Sequence, residues 1–244
     1  MNNALPCVIL AGGLGTRLAP VTTAIPKPMV AIAGQPFLTY LLEQVRAAGC
    51  TDVVLCIGYH GQVIIDHFGD GRAYGLRLRY SQEEQLRGTA GALAQARALL
   101  PPGPFFVLNG DSYCPVDFAA LRAHHGARHA QATIVAAQVP DAARYGRLVV
   151  GANDAIVAFE EKGQTAGPSA VNAGVYLLEA PMLALIPPDQ PYSLERDLFP
   201  RLTGRGLYAF RQAAGFLDIG TPATLAAAQT LLPALHHRGL YAAA

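Results

Sequence analysis

The stretch VILAGGLGTRLAPVTTAIPKPM, residues 8–29, decides the fold, because an apolar strand runs into a glycine-rich loop that ends at a lysine between two prolines. The loop holds three glycines, Gly12, Gly13 and Gly15. Glycines let a backbone approach a phosphate closely and turn its N–H groups toward the oxygens. Arg17 and Lys27 add positive charge beside them. The stretch therefore predicts a cradle for a nucleoside triphosphate.

Two common phosphate-binding motifs do not describe this loop. It lacks the Gly-Lys-Ser/Thr ending of a Walker A loop, and it fits the G-x-G-x-x-G dinucleotide pattern only with Leu18 at the last glycine. The second strand also begins, rather than ends, with its acidic residue, Asp52. A dinucleotide-binding dehydrogenase is therefore a weaker interpretation than a triphosphate cradle.

Beyond the loop, apolar segments of strand length alternate with segments of helical period, which is typical of parallel α/β sheets. The predicted strands are residues 6–11, 52–57, 76–81, 105–109, 132–137 and 174–178. The predicted helices are residues 37–48, 61–68, 89–100, 194–202 and 222–232. This order predicts an α/β fold with a Rossmann-like, doubly wound and mostly parallel sheet.

Past residue 138 the pattern changes to two short strands, 147–150 and 155–160, around a hairpin-like Asn153-Asp154 turn. We expect a small antiparallel lobe here. We find no linker or repeat, so the chain should form a single domain over residues 1–235, followed by a tail at 236–244.

Composition narrows the function classes. A chain of 244 residues with 52% hydrophobic and 14% charged content can bury one sizeable core. A net charge of +1 without a basic run argues against nucleic acid. The absence of a leader-like start and of long apolar stretches predicts a cytoplasmic protein without membrane contact. Four scattered cysteines predict free thiols, and the histidines at 124–129 and 236–237 are expected at the surface.

Lysine is rare in this chain, since the 18 basic residues include only two lysines, Lys27 and Lys162. They stand in the phrases IPKP and FEEKG. An ammonium is a compact, strongly hydrated point charge that the guanidinium of arginine does not replace. The pattern indicates that both positions require a lysine for function.

Two acidic residues, Asp111 and Asp218, follow short apolar segments and are flanked by glycine. In open α/β sheets ligands bind at the carboxyl ends of the strands. Two carboxylates beside a triphosphate form the hard oxygen site that Mg²⁺ prefers, with phosphate oxygens and water as further ligands. We therefore expect Asp111 and Asp218 to hold Mg²⁺.

These motifs together carry a family resemblance. The pattern LAGGLGTRLxPxTxxxPKPM, followed by NGD, resembles the sugar-1-phosphate nucleotidylyltransferase family. The similarity continues through RGTAGAL, FEEK, NAGVYLL, SLERDLFP and FLDIGTP. Within the family the chain looks most like D-glycero-α-D-manno-heptose 1-phosphate guanylyltransferases. The resemblance implies a GT-A-like nucleotide-diphospho-sugar transferase fold, in which residues 1–137 mainly bind nucleotide and 138–221 mainly bind sugar phosphate.

The resemblance also implies a reaction and its residues. A sugar 1-phosphate would attack the α-phosphorus of GTP in line, with Mg²⁺ as cofactor and pyrophosphate as leaving group. The implied catalytic residues are Arg17, Lys27, Asp111 and Asp218. The implied nucleotide-binding residues are Leu10, Gly12, Gly13, Gly15, Thr16, Gln82, Gly88 and Thr89. The implied sugar-phosphate-binding residues are Gly146, Glu160, Glu161, Lys162 and Asn172.

Several alternatives stay open at this point. Thr89 serves either as a nucleotide ligand or as the N-cap of the helix that it begins. Gln82, Glu83 and Glu84 offer acceptors to guanine, but UTP remains an alternative to GTP. Mannose-1-phosphate guanylyltransferase and N-acetylmuramate-1-phosphate uridylyltransferase are alternative activities, and a nucleotide-sensing module of the same fold is the non-enzyme alternative. The sequence leaves the oligomeric state open.

Overall fold

The computed structural model describes residues 4–13, 15, 18, 25–160, 167–188, 190–212 and 215–242. Four of the predicted site residues, Thr16, Arg17, Glu161 and Lys162, lie outside this part of the chain.

Thirteen strands and six α-helices make up the described structure. The strands are β1 (Cys7–Leu10), β2 (Ala31–Ile32), β3 (Gln35–Pro36), β4 (Asp52–Ile57), β5 (Arg77–Gln82), β6 (Phe105–Asn109), β7 (Ser112–Tyr113), β8 (Ala132–Val139), β9 (Arg147–Val150), β10 (Ile156–Glu160), β11 (Ser169–Leu178), β12 (Leu207–Gln212) and β13 (Leu217–Asp218). The helices are α1 (Phe37–Ala47), α2 (Gly61–Phe68), α3 (Gly88–Ala96), α4 (Phe118–Ala127), α5 (Phe199–Leu202) and α6 (Pro222–Ala242).

A nine-stranded sheet forms the centre of the fold, with the order β10-β9-β11-β6-β1-β4-β5, while β8 pairs with β11 and β12. The pairs β1–β4, β1–β6, β4–β5 and β8–β12 are parallel. The predicted mostly parallel, doubly wound sheet with a small antiparallel lobe, formed by β9 and β10, is confirmed. Strand β11 differs from the parallel prediction, because it lies antiparallel between β6 and β8. An apolar run reads alike in both directions, so its pattern does not encode strand orientation.

Two hydrophobic layers cover the faces of the sheet. Along β1, Cys7 and Ile9 join the layer that contains α1, α2, α4 and α6, whereas Val8 joins the layer that contains α3 and α5. All three are fully buried. Successive strand side chains point to opposite faces, so a strand covered on both faces must be apolar throughout. This explains the uninterrupted apolar runs of the sequence.

The C-terminal segment corrects the predicted tail. Helix α6 was expected to end at residue 232 but continues to Ala242, although Pro233 lies inside it. His236 is 7% exposed and contacts Tyr113 and Glu43, at 2.9 Å from the Tyr113 hydroxyl and 2.8 Å from Glu43 Oε2. His236 is therefore part of the core, and its prediction as a surface residue is wrong. Among the described residues no helix has the length and apolar character to span a bilayer.

His125 corrects a second surface prediction. It is 4% exposed, and its Nδ1 lies 2.8 Å from the Thr133 hydroxyl on β8. Helix α4 carries two adjacent histidines, the buried His125 and the half-buried His124, whose ring lies 5.4 Å from that of Phe210. Sequence pattern alone therefore did not identify the buried one.

The register of the sheet joins the glycine loop to the end of β6. Leu10 pairs with Asn109, and the Gly110 N–H donates to the Leu10 carbonyl at 2.9 Å. A Cβ on residue 110 would lie 2.6 Å from that carbonyl oxygen, so only glycine fits without a shift of the backbone. Asp111 follows directly and is thereby held beside the loop.

Candidate active site

Two cavities open at the carboxyl end of the sheet. The first, which we call the loop cavity, has a volume of about 410 Å³ and lies between the glycine loop, the start of α3 and the end of β6. Among the predicted residues, it is lined by Leu10, Gly12, Gly13, Gly15, Lys27, Gly88, Thr89 and Asp111. An opening of this kind at the strand ends is where an open α/β sheet binds its ligand.

The second opening, which we call the lobe cavity, has a volume of about 770 Å³ and lies between β6, the antiparallel lobe and β13. Among the predicted residues, it is lined by Gly146, Glu160, Asn172, Asp111 and Asp218. Asn109 and Asp111 line both cavities. Ligands in the two openings would therefore meet beside these residues.

Lys27 lies at this junction. It begins a 3₁₀ turn, Lys27–Met29, and its Nζ donates to Asp111 Oδ2 at 2.6 Å. The Lys27 side chain is 9% exposed and that of Asp111 is 42% exposed. Flanking prolines limit the backbone of the turn. This turn therefore places the buried Lys27 ammonium beside the Asp111 carboxylate, which was predicted to bind metal.

Asp218 reaches the same junction through a short ladder. It pairs with Ser112 across the antiparallel strands β13 and β7, and the Ile219 N–H donates to the Asp111 carbonyl at 3.0 Å. The backbone therefore brings Asp111 and Asp218 together although 107 positions of sequence, 111 to 218, separate them. The structure thus brings the two predicted acids to the lining of the same cavity.

Arg144 and Tyr145 contact Asp218, and the sequence reasoning missed both. The Tyr145 hydroxyl donates to Asp218 Oδ2, and Arg144 Nη2 lies 3.5 Å from Asp218 Oδ1. Burial and the negative charge of Asp218 raise the pKa of Tyr145, which keeps the hydroxyl protonated as a donor. Their position next to Gly146, in the phrase RYG, was the available signal.

A pair of carboxylates fits Mg²⁺ in donor chemistry. No group of three or more His, Cys, Asp or Glu side chains that could hold a metal occurs among the described residues. Mg²⁺ in nucleotide sites is commonly held by one or two carboxylates plus substrate phosphates and water. Asp111 and Asp218 match the protein carboxylates of such a site, and the loop cavity beside Asp111 offers space for the phosphates.

At the far end of the loop cavity, the structure places Glu83 where Gln82 was predicted. Gln82 is exposed and does not line the cavity, whereas Glu83 is 9% exposed and does. Glu83 Oε1 accepts from the Arg87 N–H at 3.0 Å. Burial raises the pKa of Glu83, although the Arg87 N–H and guanidinium oppose the shift. Because successive side chains of an extended segment point in opposite directions, a difference of one position in sequence changes which side chain faces the cavity.

Thr89 is not the N-cap of α3. The cap position is Arg87, and no side chain donates or accepts there. The Thr89 hydroxyl instead donates to Glu195 Oε2 at 2.9 Å and accepts from the Leu194 N–H at 2.8 Å. Its hydrogen-bonding capacity is thus directed at the turn that carries Glu195, inside the SLERDLFP phrase.

Comparison with known proteins agrees with this geometry. A family model described as nucleotidyl transferase matches residues 7–234. Mannose-1-phosphate guanylyltransferase of Mycobacterium tuberculosis is 37% identical over 91% of this chain and 62% of its own length. Mannose-1-phosphate guanyltransferase of Schizosaccharomyces pombe is 36% identical over 89% of this chain and 61% of its own. The chain thus spans less than two thirds of the length of these relatives.

A solved structure matches most of this chain. HddC of Yersinia pseudotuberculosis, complexed with GMP-PN, is 34% identical and superposes with a TM-score of 0.83 over 92% of this chain and 98% of that protein. With the cavity at the strand ends, the paired acids and a family match across nearly its whole length, the chain belongs to the nucleotidyl transferase family.

Proposed function

We propose that this protein transfers a guanylyl group from GTP to a sugar 1-phosphate, giving a GDP-sugar and pyrophosphate. One observation carries the proposal: the loop cavity and the lobe cavity share Asn109 and Asp111, with the Lys27 ammonium at their junction. A transfer between two bound phosphates requires that they lie side by side near groups that neutralise their charge, and two openings that meet at Lys27 and Asp111 provide this.

The reaction balances without a covalent enzyme intermediate. A phosphate oxygen of the sugar 1-phosphate forms a bond to the α-phosphorus of GTP, and the bond from that phosphorus to the bridging oxygen of the β-phosphate breaks. The protein positions the groups and neutralises charge. The backbone of Gly12 to Gly15 would cradle the triphosphate in the loop cavity, while Lys27 would face the α-phosphate.

Asp111 and Asp218 would hold Mg²⁺ at the junction, where the ion would supply positive charge to the phosphate oxygens. Among this chain's own groups, Tyr145 and the Gly220 N–H, which donates to Asp218 Oδ1 at 2.8 Å, orient the Asp218 carboxylate. Lys162 would meet the phosphate of the sugar substrate, and Arg17 the triphosphate, as the family resemblance implies.

Glu83 supports guanine as the base. Its Oε1 is engaged by the Arg87 N–H, and a Cβ on Gly12 would lie 2.8 Å from its Oε2, which places that oxygen at the loop cavity. A buried carboxylate is acceptor-only, which suits the adjacent N1–H and N2–H₂ donors of guanine. Uracil offers one N–H between two carbonyl oxygens, so a carboxylate would oppose an acceptor there.

The sugar is proposed to have manno configuration. The M. tuberculosis and S. pombe relatives are named for mannose 1-phosphate, and the sequence motifs resemble enzymes for D-glycero-α-D-manno-heptose 1-phosphate. The two sugars share their ring stereochemistry and differ at the exocyclic carbons. Gly146, Glu160 and Asn172 line the cavity that would receive the ring.

A pyrophosphate-release screen tests the proposal. GTP, UTP, ATP and CTP are each combined with the 1-phosphates of mannose, the manno-heptose, glucose and N-acetylmuramate in the presence of Mg²⁺. We expect release with GTP and one or both manno sugars. Release only with UTP and N-acetylmuramate 1-phosphate would replace the proposed substrates. Nucleotide binding without release from any pair would favour a nucleotide-sensing module.

A further inference from the structure

A hydrogen-bonded chain centred on Tyr176 runs beneath both cavities. Tyr176 is fully buried on β11. Its hydroxyl accepts from Asn109 Nδ2 at 3.3 Å and from Asn172 Nδ2 at 3.0 Å, and it donates to Glu195 Oε1 at 3.1 Å. Two acceptances and one donation use the full capacity of a phenol. The Tyr176 hydroxyl is therefore a fixed branch point.

Glu195 extends this chain to the loop cavity. Its Oε2 accepts from the Thr89 hydroxyl and from the Ser193 hydroxyl, each at 2.9 Å. Thr89 lines the loop cavity, Glu195 and Asn172 line the lobe cavity, and Asn109 lines both. A continuous series of contacts thus leads from Thr89, on α3, to the two amides that face the other opening.

We propose that Thr89, Glu195 and Tyr176 are positioning residues that couple the cavities, so that a side chain in the loop cavity sets the affinity of the lobe cavity for sugar 1-phosphate. The inference rests on the proposed function. It assigns Thr89 to the sugar side of the reaction, although Thr89 lines the loop cavity and the family resemblance implied a nucleotide ligand.

The bonding pattern explains why the effect should cross between the cavities. The Thr89 hydroxyl has a donor and an acceptor partner within the protein, so its one proton is directed at Glu195 and not at a ligand. Asn109 Oδ1 is buried without a hydrogen-bond partner in the described structure, so the bond to Tyr176 is what orients that amide. Burial and the charge of Glu195 raise the pKa of Tyr176 well above its usual value, so the hydroxyl stays a donor.

The test compares Thr89→Val, Tyr176→Phe and the double variant with the wild-type protein. Each change removes a hydroxyl and keeps nearly the same shape. Tyr40→Phe is the matched control, since Tyr40 is also buried and its hydroxyl donates to the Ile32 carbonyl at 3.2 Å, outside both cavities. Initial rates of pyrophosphate release are measured with GTP and mannose 1-phosphate, or the manno-heptose 1-phosphate if that is the better substrate, both varied.

We expect Thr89→Val and Tyr176→Phe each to raise the KM for sugar 1-phosphate about tenfold, because each leaves a buried polar partner unsatisfied. The KM for GTP should change less than about twofold, and the double variant should resemble the worse single one because the residues share one network. Tyr40→Phe should leave both KM values unchanged even if it lowers the melting temperature.

Two results would overturn the inference. A Thr89→Val protein with a raised KM for GTP and a normal KM for sugar 1-phosphate would make Thr89 a direct nucleotide contact. If Tyr176→Phe had the same kinetics as Tyr40→Phe, the hydrogen bonds of Tyr176 would stabilise the fold without affecting sugar 1-phosphate binding. If the wild-type protein shows no turnover, the proposed function fails, and the coupling is tested instead by calorimetric binding of mannose 1-phosphate. Weaker binding by Thr89→Val than by the wild-type protein would support the coupling. Equal binding, or no binding by either protein, would refute it.

Discussion

At the scale of the residue, the salt bridge between Lys27 and Asp111 concentrates opposite charges where the two cavities meet. A buried ammonium is costly unless it is paired, so the pair at 2.6 Å also contributes to the local fold. The same carboxylate is proposed to hold Mg²⁺ with Asp218. Asp111 would therefore serve both the local fold and the proposed metal site.

Asp111→Asn is expected to reduce kcat at least about a thousandfold, because the amide removes a charged metal ligand. The melting temperature should also fall, since Lys27 loses its anionic partner. Asp66→Asn, at an exposed position of α2, is the control and should keep its activity. Rates of pyrophosphate release and calorimetric binding of sugar 1-phosphate are measured on both. Near-normal turnover by Asp111→Asn would refute the metal assignment.

Glu83→Gln is expected to lower kcat/KM for GTP by about tenfold to a hundredfold and to narrow the preference over UTP, because one acceptor becomes a donor. Its effect on stability has the opposite sign. The folded state raises the pKa of Glu83, so the charged form present at neutral pH is destabilising, and a neutral amide should leave the melting temperature equal or higher at pH 7. Glu84→Gln, which is exposed, is the control. Unchanged selectivity would contradict the role of Glu83.

At the scale of the element, the contact between β1 and the turn after β6 sets the position of Asp111. A Cβ on residue 110 would overlap the Leu10 carbonyl oxygen, so the turn after β6 lies close against β1, and the β7–β13 ladder pairs Asp218 with Ser112 of the same segment. Strands β1 and β6 and the β7–β13 ladder together fix the positions of Asp111 and Asp218. Binding and catalytic groups on loops are commonly positioned by such a scaffold.

Gly110→Ala is expected to destabilise the protein by about 1–3 kcal/mol, because a Cβ there overlaps backbone that can move only with the strands. Activity should fall further than stability explains, since Asp111 would shift with the turn. Gly126→Ala in α4 is the control, as a Cβ there meets nothing within 4 Å. Chemical denaturation and initial rates are compared. Full activity in a folded Gly110→Ala protein would show that the close approach is not needed.

At the scale of the whole molecule, α6 closes the layer that also contains α1, α2 and α4. His236 links α6 to this layer through hydrogen bonds to the Tyr113 hydroxyl on β7 and to Glu43 on α1. Burial lowers the pKa of His236 from its usual 6.5, and burial also lowers that of His125. Both histidines therefore resist protonation in the folded state.

Stability should decrease as the pH falls through about 6.5, because the unfolded chain then binds protons that the folded chain resists. We expect the melting temperature to drop by about 3–6 °C between pH 7.5 and 6.0. His236→Gln should reduce this dependence, whereas His67→Gln, at an exposed position, should not. A melting temperature that is flat over this range in the wild-type protein would contradict the prediction.

The sequence by itself determined the alternation of strands and helices, and it predicted that the glycine-rich loop binds phosphate. Lys27, Asp111 and Asp218 were predicted from local patterns, a lysine between two prolines and acids near glycine, that carry their own physical reasons, whereas Leu10 was implied only by the family resemblance. These signals need no knowledge of which strand lies beside which. The family could also be predicted, because its main motif lies in one continuous segment, residues 8–29.

Only the tertiary structure decided which groups face each other. The antiparallel direction of β11, the choice of Glu83 over Gln82, the burial of His236 and the chain from Thr89 to Tyr176 depend on contacts between segments far apart in sequence. A single residue's pattern does not specify such partners, because burial and hydrogen bonding depend on the geometry of neighbouring elements. The motifs therefore determined the kind of site, and the packing decided how its two halves are joined.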